Sequence, residues 1–243
     1  MLRAAAGVTQ RANSIWPRSA PSSDKQCSDE QCSDDLPGLL RDARAWYRSR
    51  RLPVIFQLFD TPAASALHQL LDLEGFSRQS ETLVMTRSAM DTRIPPGARP
   101  AVELSSEPSG EWLRVWWQVD GRGGEDSLSV AETILRGCPS VYALVRDGDG
   151  RAAAVGRLAL PTRSRQGGLY CMATLPQARR QGFAAVIVQA LLQAGSEQGI
   201  DGFWLLVTAA NHGAQELYAK AGFRETCRYL YRQERPRRAP TGC

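Results

Sequence analysis

The sequence predicts a mixed α/β (α+β) protein, and three observations carry that reading. Short apolar runs of strand character alternate with segments of helical period along most of the chain. The turn D-G-D-G at 147–150 separates two apolar runs, 141–146 and 152–160, which marks a β-hairpin. The clearest helix, 182–194, places Phe183, Val186, Ile187, Ala190, Leu191 and Ala194 on one face.

From the N-terminus, residues 2–16 read as a short strand with Gly7 at a turn, and the polar residues 17–35 as a loop. In 36–51, Leu39, Leu40, Ala43, Trp46 and Tyr47 fall at helical spacing, and LPVIFQLF at 52–59 forms a short buried strand. Asp60 or Thr61 caps the next helix, with Pro62 in its first turn and Gly75 at its end; residues 76–85 return as a strand. The run DTRIPPGARP at 91–100 holds three prolines and makes a poor helix or central strand, so it reads as an interdomain linker. Beyond it come a strand (101–105), a Trp-rich helix (110–119), a second helix (128–135), the hairpin, a strand (169–175), the 182–194 helix, a strand (203–208), a helix ended by Gly222 (214–221) and a final strand (223–232). The expected organisation is an N-terminal domain 1–90, a linker 91–100, a C-terminal domain 101–232 and a basic tail 233–243. A shift of 147 residues lays Gly75-Phe76 on Gly222-Phe223, Phe56 on Phe203, Leu58 on Leu205 and Leu70 on Leu217 without a gap, a weak internal repeat that favours two related domains.

Composition narrows the function classes. The 243 residues suffice for a buried core without disulfides or metal, and 43% apolar with 23% charged residues excludes wholesale disorder. The net charge of +5 comes from dispersed arginines, Lys25 and Lys220 being the lysines; only 232–238 forms a basic patch, and it reads as a solvated end. Nucleic acid is therefore not expected as a partner. No apolar run nears the ~18 residues that span a bilayer, and MLRAAAGVTQ lacks the apolar core of a signal peptide, so no membrane partner and a cytoplasmic location are expected. Six cysteines without a C-x-x-C pair, with only His68 and His212, assemble no zinc set. Cys27 and Cys32 belong to a duplicated QCSD(E/D) stretch read as an acidic loop insertion, and all six are expected as free thiols.

The chemistry sits in LYCMATLPQARRQGFAAVIVQALLQA. An apolar strand runs through Pro176 into Arg179-Arg180-Gln181-Gly182-Phe183-Ala184, which opens the periodic helix. The first backbone N–H groups of a helix have no internal acceptor and the macrodipole is positive there, so small Gly182 and Ala184 with Arg179 and Arg180 make a pyrophosphate cradle.

This R-x-x-G-x-A spacing resembles the acetyl-CoA signature of the GNAT superfamily of N-acetyltransferases. The later NHGAQELYAKAGF resembles its N-x-x-A-x-x-L-Y-x-x-x-G-F element at Asn211, Ala214, Leu217, Tyr218, Gly222 and Phe223. The resemblance covers 101–232 well. The N-terminal part resembles a degenerate copy, as in two-domain GNAT proteins in which RANSIWP and a strand ending VMT recur. It has no R-x-x-G-x-A before its 36–51 helix, places Leu71 where Tyr218 falls and lacks the two helices that follow the first strand, so it should have lost cofactor binding. The resemblance implies a GNAT acyl-CoA N-acyltransferase fold, a mostly antiparallel sheet flanked by helices. It implies acetyl-CoA as co-substrate without a metal, and direct attack by the amine of a small molecule or protein. Met172, Ala173 and Thr174 would lie on a splayed strand and pair with the pantetheine arm; Arg179, Arg180, Gln181, Gly182, Phe183 and Ala184 would hold the pyrophosphate. Asn211 would bond the pantetheine chain and Tyr218 would protonate the leaving thiolate.

Plainer roles stand beside these. Tyr218 can be a core residue and Asn211 only an N-cap. Cys171 reads as packing, and His212 has no partner that would make it a base. Trp112, Trp116 and Trp117 are core or line the acceptor site, and Tyr229 and Tyr231 share one strand face as packing or acceptor wall. Glu103, Glu111, Glu132 or water are open as the general base. The competing class is a catalytically silent GNAT-like binding or regulatory module that meets an acidic partner through its arginines.

Overall fold

The computed structural model describes residues 1–4, 13–17, 35–89, 101–121 and 123–235. The expected turn at Gly7, the Cys27/Cys32 insertion, the 91–100 linker and 236–243 of the tail lie outside the described residues. In chain order the elements are α1 (Leu36–Arg48), β1 (Ile55–Phe59), a 3₁₀ turn (Pro62–Ala64), α2 (Ser65–Leu73), β2 (Ser77–Ser88), β3 (Val102–Ser105), α3 (Gly110–Asp120) and α4 (Glu125–Arg136). There follow β4 (Ser140–Arg146), β5 (Ala152–Ala159), β6 (Gln166–Thr174), α5 (Phe183–Glu197), β7 (Gly202–Thr208), α6 (His212–Lys220) and β8 (Arg224–Gln233). The mixed α/β class is as expected, with mostly antiparallel strands: β1–β8, β3–β4, β4–β5 and β5–β6 pair antiparallel and β6–β7 parallel.

The chain divides into two compact units, Met1–Thr82 with Cys227–Cys243, and Leu83–Thr226. These differ from the expected ranges 1–90 and 101–232, because β2 and β8 each contribute residues to both units. The strand order is β1-β8-β2 in the first and β2-β7-β6-β5-β4-β3 in the second.

The first unit is built on α1 and α2. Asp35 caps α1 by accepting from Gly38 N at 3.1 Å, with Pro37 in the first turn. Leu40, Ala43 and Tyr47 face a core of Ile15, Val54, Phe56, Leu58, Leu71 and Phe76. Leu39, expected on that face, is 62% exposed, since it lies about 100° round the helix from Leu40. The expected cap of the next helix is also corrected: Thr61 opens the 3₁₀ turn without a side-chain bond, and α2 starts uncapped. Arg232, expected in a solvated basic patch, is 0% exposed. Its guanidinium donates to the Asp72 carboxylate and, at 3.1 Å, to Phe76 O, tying β8 to α2. Gln233 and Glu234 also belong to the fold, Glu234 N donating to Val54 O and its carboxylate pairing with Arg44 at 2.7 Å.

In the second unit the β4–β5 hairpin forms at the expected turn. Asp147 Oδ1 accepts from Asp149 N and Arg151 N at 3.0 and 2.9 Å, closing the loop as an Asx turn. Ser109 caps α3 through Trp112 N, and the buried Trp112 indole donates to Ala143 O and Gly156 O, fixing α3 on β4 and β5. Ile187, Val188, Leu191 and Leu192 seat α5 in the same core.

The 147-residue shift holds through the elements. It carries the first residue of α1 onto the first of α5, and α2 onto α6 residue for residue. Gly75 (φ 73°) falls on Gly222 (φ 87°), and the helix-ending bonds match: Phe76 N to Leu71 O at 2.9 Å, Phe223 N to Tyr218 O at 3.0 Å. Only glycine takes that left-handed position without penalty.

Replacing Arg232 by Met should lower stability by about 1–3 kcal/mol, because Phe76 O loses its buried donor; urea unfolding of the full chain measures this. The hydrogen bond from Arg232 holds the Asp72 carboxyl below its usual range. The pair's stabilisation is therefore present above the ordinary aspartate pKa of about 3.9 and fades as pH falls through the lower folded value. Asp72→Asn should be less stable than wild type at neutral pH and converge with it in acid.

Candidate functional site

The second unit carries an opening between two parallel strands. β6 and β7 pair from Gln166↔Gly202 to Leu169↔Leu205, after which β6 continues to Thr174 and β7 to Thr208 without pairing to each other among the described residues. On its other edge β6 is bulged: the register with β5 shifts between Val155↔Ala173 and Arg157↔Tyr170, so Cys171 and Met172 together oppose Gly156. Cys171 takes φ 53°, the left-handed region, which bends the strand where pairing with β7 has ended. Met172 and Thr174 are half-buried and Ala173 is buried along this free stretch.

β6 leads through a 3₁₀ turn, Pro176–Ala178, to the α5 N-terminus. Gly182 is the N-cap at φ 83°, with no side chain to cap the helix, and Arg180 is also left-handed at φ 66°. Among the described residues the backbone N–H groups of Arg180, Gln181, Gly182, Phe183 and Ala184 have no acceptor. Arg179, Arg180, Gln181 and Gly182 are exposed, Ala184 is half-buried, and the Phe183 side chain is buried as an anchor that leaves only its N–H to the outside. Five unfilled donors, the helix dipole and the side chains of Arg179 and Arg180 fall within one short segment. The equivalent position before α1 is Asp35, whose carboxylate fills the helix N-terminus through Gly38 N. The internal copy has supplied its own anion.

Asn211 and Tyr218 sit on either end of α6. Asn211 Oδ1 accepts from Ala214 N at 3.1 Å, so it is the N-cap, while its Nδ2 makes no hydrogen bond among the described residues. Tyr218 is 7% exposed and packs edge-on to Phe223 at 6.1 Å, and its hydroxyl has no hydrogen-bond partner among the described residues. Burial pushes its pKa up to about 12, so the phenol stays protonated at neutral pH and can act as a donor. Leu71, its counterpart after the 147-residue shift, has no such proton.

The carboxylates considered as a base are engaged elsewhere. Glu103 and Glu111 both pair with Arg146, at 2.6 and 2.7 Å, and Glu132 pairs with Arg136 at 2.8 Å. The hydrogen bond from Arg146 holds the Glu111 carboxyl below its usual range, which weakens it as a proton acceptor. His212 is exposed at the start of α6. Trp112 is core, whereas Trp116 and Trp117 are half-buried and the Trp116 indole N–H is buried without a partner. Tyr229 and Tyr231, open as an acceptor wall, are both buried, 5.4 Å apart, and pack the first unit. Cys138 is a free thiol, and no group of metal-binding side chains occurs among the described residues. Two features escaped the sequence: the Asp35 carboxylate in the copy, signalled only by its place at the 147-residue offset from Gly182, and Gln215, for which no signal was available.

The family model described as "Probable histone acetyltransferase Rv0428c C-terminal" matches residues 1–232. A Bacillus subtilis (strain 168) protein named an uncharacterized N-acetyltransferase, YobR, is 26% identical over 239 residues, covering 97% of this chain and 90% of that protein. The GCN5-related N-acetyltransferase of Sphaerobacter thermophilus has a similar fold (TM-score 0.65, 17% identity, 82% of this chain and 68% of that one). So has a tandem GNAT protein from the clavulanic acid biosynthesis pathway (TM-score 0.66, 15% identity, 83% and 70%).

Backbone conformation can be tested apart from space. A Cβ at Gly182 or at Gly213 would meet nothing within 4 Å, yet only Gly182 has a positive φ. Gly182→Ala should destabilise by about 1–2 kcal/mol and Gly213→Ala should stabilise by up to about 1 kcal/mol. Thermal and urea unfolding of the two variants check the opposite signs.

Proposed function

The chain belongs to the Rv0428c C-terminal acetyltransferase family, and from that premise we propose that it transfers the acetyl group of acetyl-CoA to a primary amine by direct attack in a ternary complex. It is an acyltransferase of the GNAT type. The observation that carries the finer reading is the stretch of β6 that β7 leaves unpaired, which leads through the Pro176–Ala178 turn to the N–H groups at the start of α5. In this reading Met172, Ala173 and Thr174 offer backbone groups to the amide-bearing pantetheine arm, which would complete the pairing that β7 leaves open. Arg179, Arg180 and the N–H groups from Gln181 to Ala184 hold the pyrophosphate, Phe183 keeping the loop anchored from the core side. Asn211 has an amide donor to spare for the pantetheine chain once its oxygen has capped α6.

Tyr218 supplies the proton. The Tyr218 phenol is protonated at neutral pH and has no hydrogen-bond partner among the described residues, so it can donate to the leaving thiolate as charge develops there without first breaking a bond within the protein. The acceptor enters as the neutral amine. With Glu103, Glu111 and Glu132 held in ion pairs, water is the route by which its proton departs. Retention of Gly182, Asn211 and Tyr218 together disfavours a catalytically silent module. No helix among the described residues is long and apolar enough to cross a membrane, and the free thiol of Cys138 fits the reducing cytoplasm as the compartment of action. The family description names histone as acceptor, so a lysine of a basic protein belongs beside small amines in the substrate panel.

Calorimetric titration of the full chain should give one acetyl-CoA per chain, since Asp35 occupies the second helix N-terminus; two would overturn the reading of the N-terminal half. Gly182→Glu should abolish that binding by placing a carboxylate in the pyrophosphate position, and unchanged affinity would remove the cradle. Tyr218→Phe should lower kcat by ~10²–10⁴-fold while acetyl-CoA binding and folding stay near wild type. Thiol release over an amine panel measures this, and an unchanged kcat would return Tyr218 to the core.

A further inference from the structure

Gln215 lies one turn along α6 from Asn211, half-buried, and is not among the residues assigned above. Its Nε2 donates to two successive carbonyls at the end of β7, Thr208 O at 3.1 Å and Ala209 O at 2.9 Å. Thr208 O also accepts from Asn211 N at 3.0 Å, so one side chain and one backbone bond close the 208–211 turn together. This turn joins the free end of β7, one wall of the opening, to the cap of α6.

The internal copy supplies the comparison. The backbone turn recurs there, Ala64 N donating to Thr61 O at 3.0 Å, 147 residues earlier. At the position of Gln215 stands His68, whose Nδ1 lies 3.5 Å from Arg232 Nη1 and whose Nε2 is buried without a partner. At the position of Asn211 stands Ala64, with no side-chain cap. The turn therefore forms without a clamp. The clamp is found only in the half that keeps Gly182, Asn211 and Tyr218.

We propose that Gln215 is a positioning residue for acetyl-CoA: by fixing Thr208 and Ala209 it holds the β7 wall of the opening and sets Asn211 for the pantetheine arm. The proposal rests on the acetyl-CoA reading of this site. Gln215 itself touches no reacting atom. Its amide protons are engaged with the last carbonyl of β7 and the first beyond it, and it acts through the turn and through Asn211. Because the pyrophosphate loop is on another element, the phosphate end of the cofactor should not feel its loss.

The test compares two ligands by calorimetry on the full chain: acetyl-CoA, and adenosine 3′,5′-bisphosphate, which lacks the pantetheine arm. Gln215→Met removes the donors without adding charge, and Gln215→Glu keeps the shape while setting a carboxylate against two carbonyls. Both should weaken acetyl-CoA about ten-fold, Gln215→Glu the more, as expected for losing two positioned hydrogen bonds. Bisphosphate affinity should stay within about two-fold, because that ligand makes no contact with the pantetheine wall. In an Asn211→Ala background Gln215→Met should add little further loss, since both act on the same contact. Unchanged acetyl-CoA affinity, equal weakening of both ligands, or full additivity with Asn211→Ala would overturn the proposal and leave the cofactor assignment standing. Failure of the wild-type chain to bind either ligand would overturn both. A variant that fails to fold shows itself by losing its cooperative thermal transition, and the other variant then decides.

Discussion

The end of parallel pairing at Leu169↔Leu205 is the constraint on which the rest of the site depends. A parallel pair that ran on to Thr174 and Thr208 would satisfy its backbone groups internally and leave nothing for a ligand to bond. The bulge at Cys171 and Met172 takes β6 out of that register from the β5 side, and the 208–211 turn terminates β7. The same strand then delivers the chain to α5 with Gly182 in a conformation that leaves the first-turn N–H groups unfilled. An amide-bearing chain ending in a pyrophosphate matches both features in sequence, the arm against the strand and the anion against the helix.

The two halves show how little separates a binding site from its silent copy. The helix, strand, helix and strand from α1 to β2 recur at one constant offset as α5 to β8. The replacements that change the chemistry leave the order and offset of these elements in place. Asp35, at φ −121° against the 83° of Gly182, puts a carboxylate at its helix N-terminus, Leu71 stands for the phenol of Tyr218, Ala64 for the cap Asn211 and His68 for the clamping amide of Gln215. An internal carboxylate is a local, permanent ligand. A free phosphate would have to displace it and would also meet its charge.

Much of this was legible in the sequence because it is local. The DGDG hairpin, the Trp-rich helix α3, the apolar face of α5 and the G-F helix endings each follow from residues within a few positions of one another. The two motifs that frame the site are local as well. What could not be read there depends on partners far along the chain. Arg232 in a basic tail looks solvated until Asp72 and Phe76, on α2 and beyond it, are seen to receive it. Glu111 looks like a free base until Arg146 arrives on β4. The contribution of β2 and β8 to both compact units cannot be inferred from apolar periodicity, which says that a strand has a buried face but not which strand lies beside it. Nothing in the spacing of Gln215 marks the two carbonyls that receive its amide.

Amide hydrogen exchange of the full chain with and without acetyl-CoA tests the central claim most directly. The account predicts protection confined to two stretches, the free end of β6 from Met172 to Thr174 and the α5 entry from Arg180 to Ala184, with no change at the α1 N-terminus around Gly38. Protection at Gly38 with none at Arg180–Ala184, or none anywhere at saturating acetyl-CoA, would contradict it.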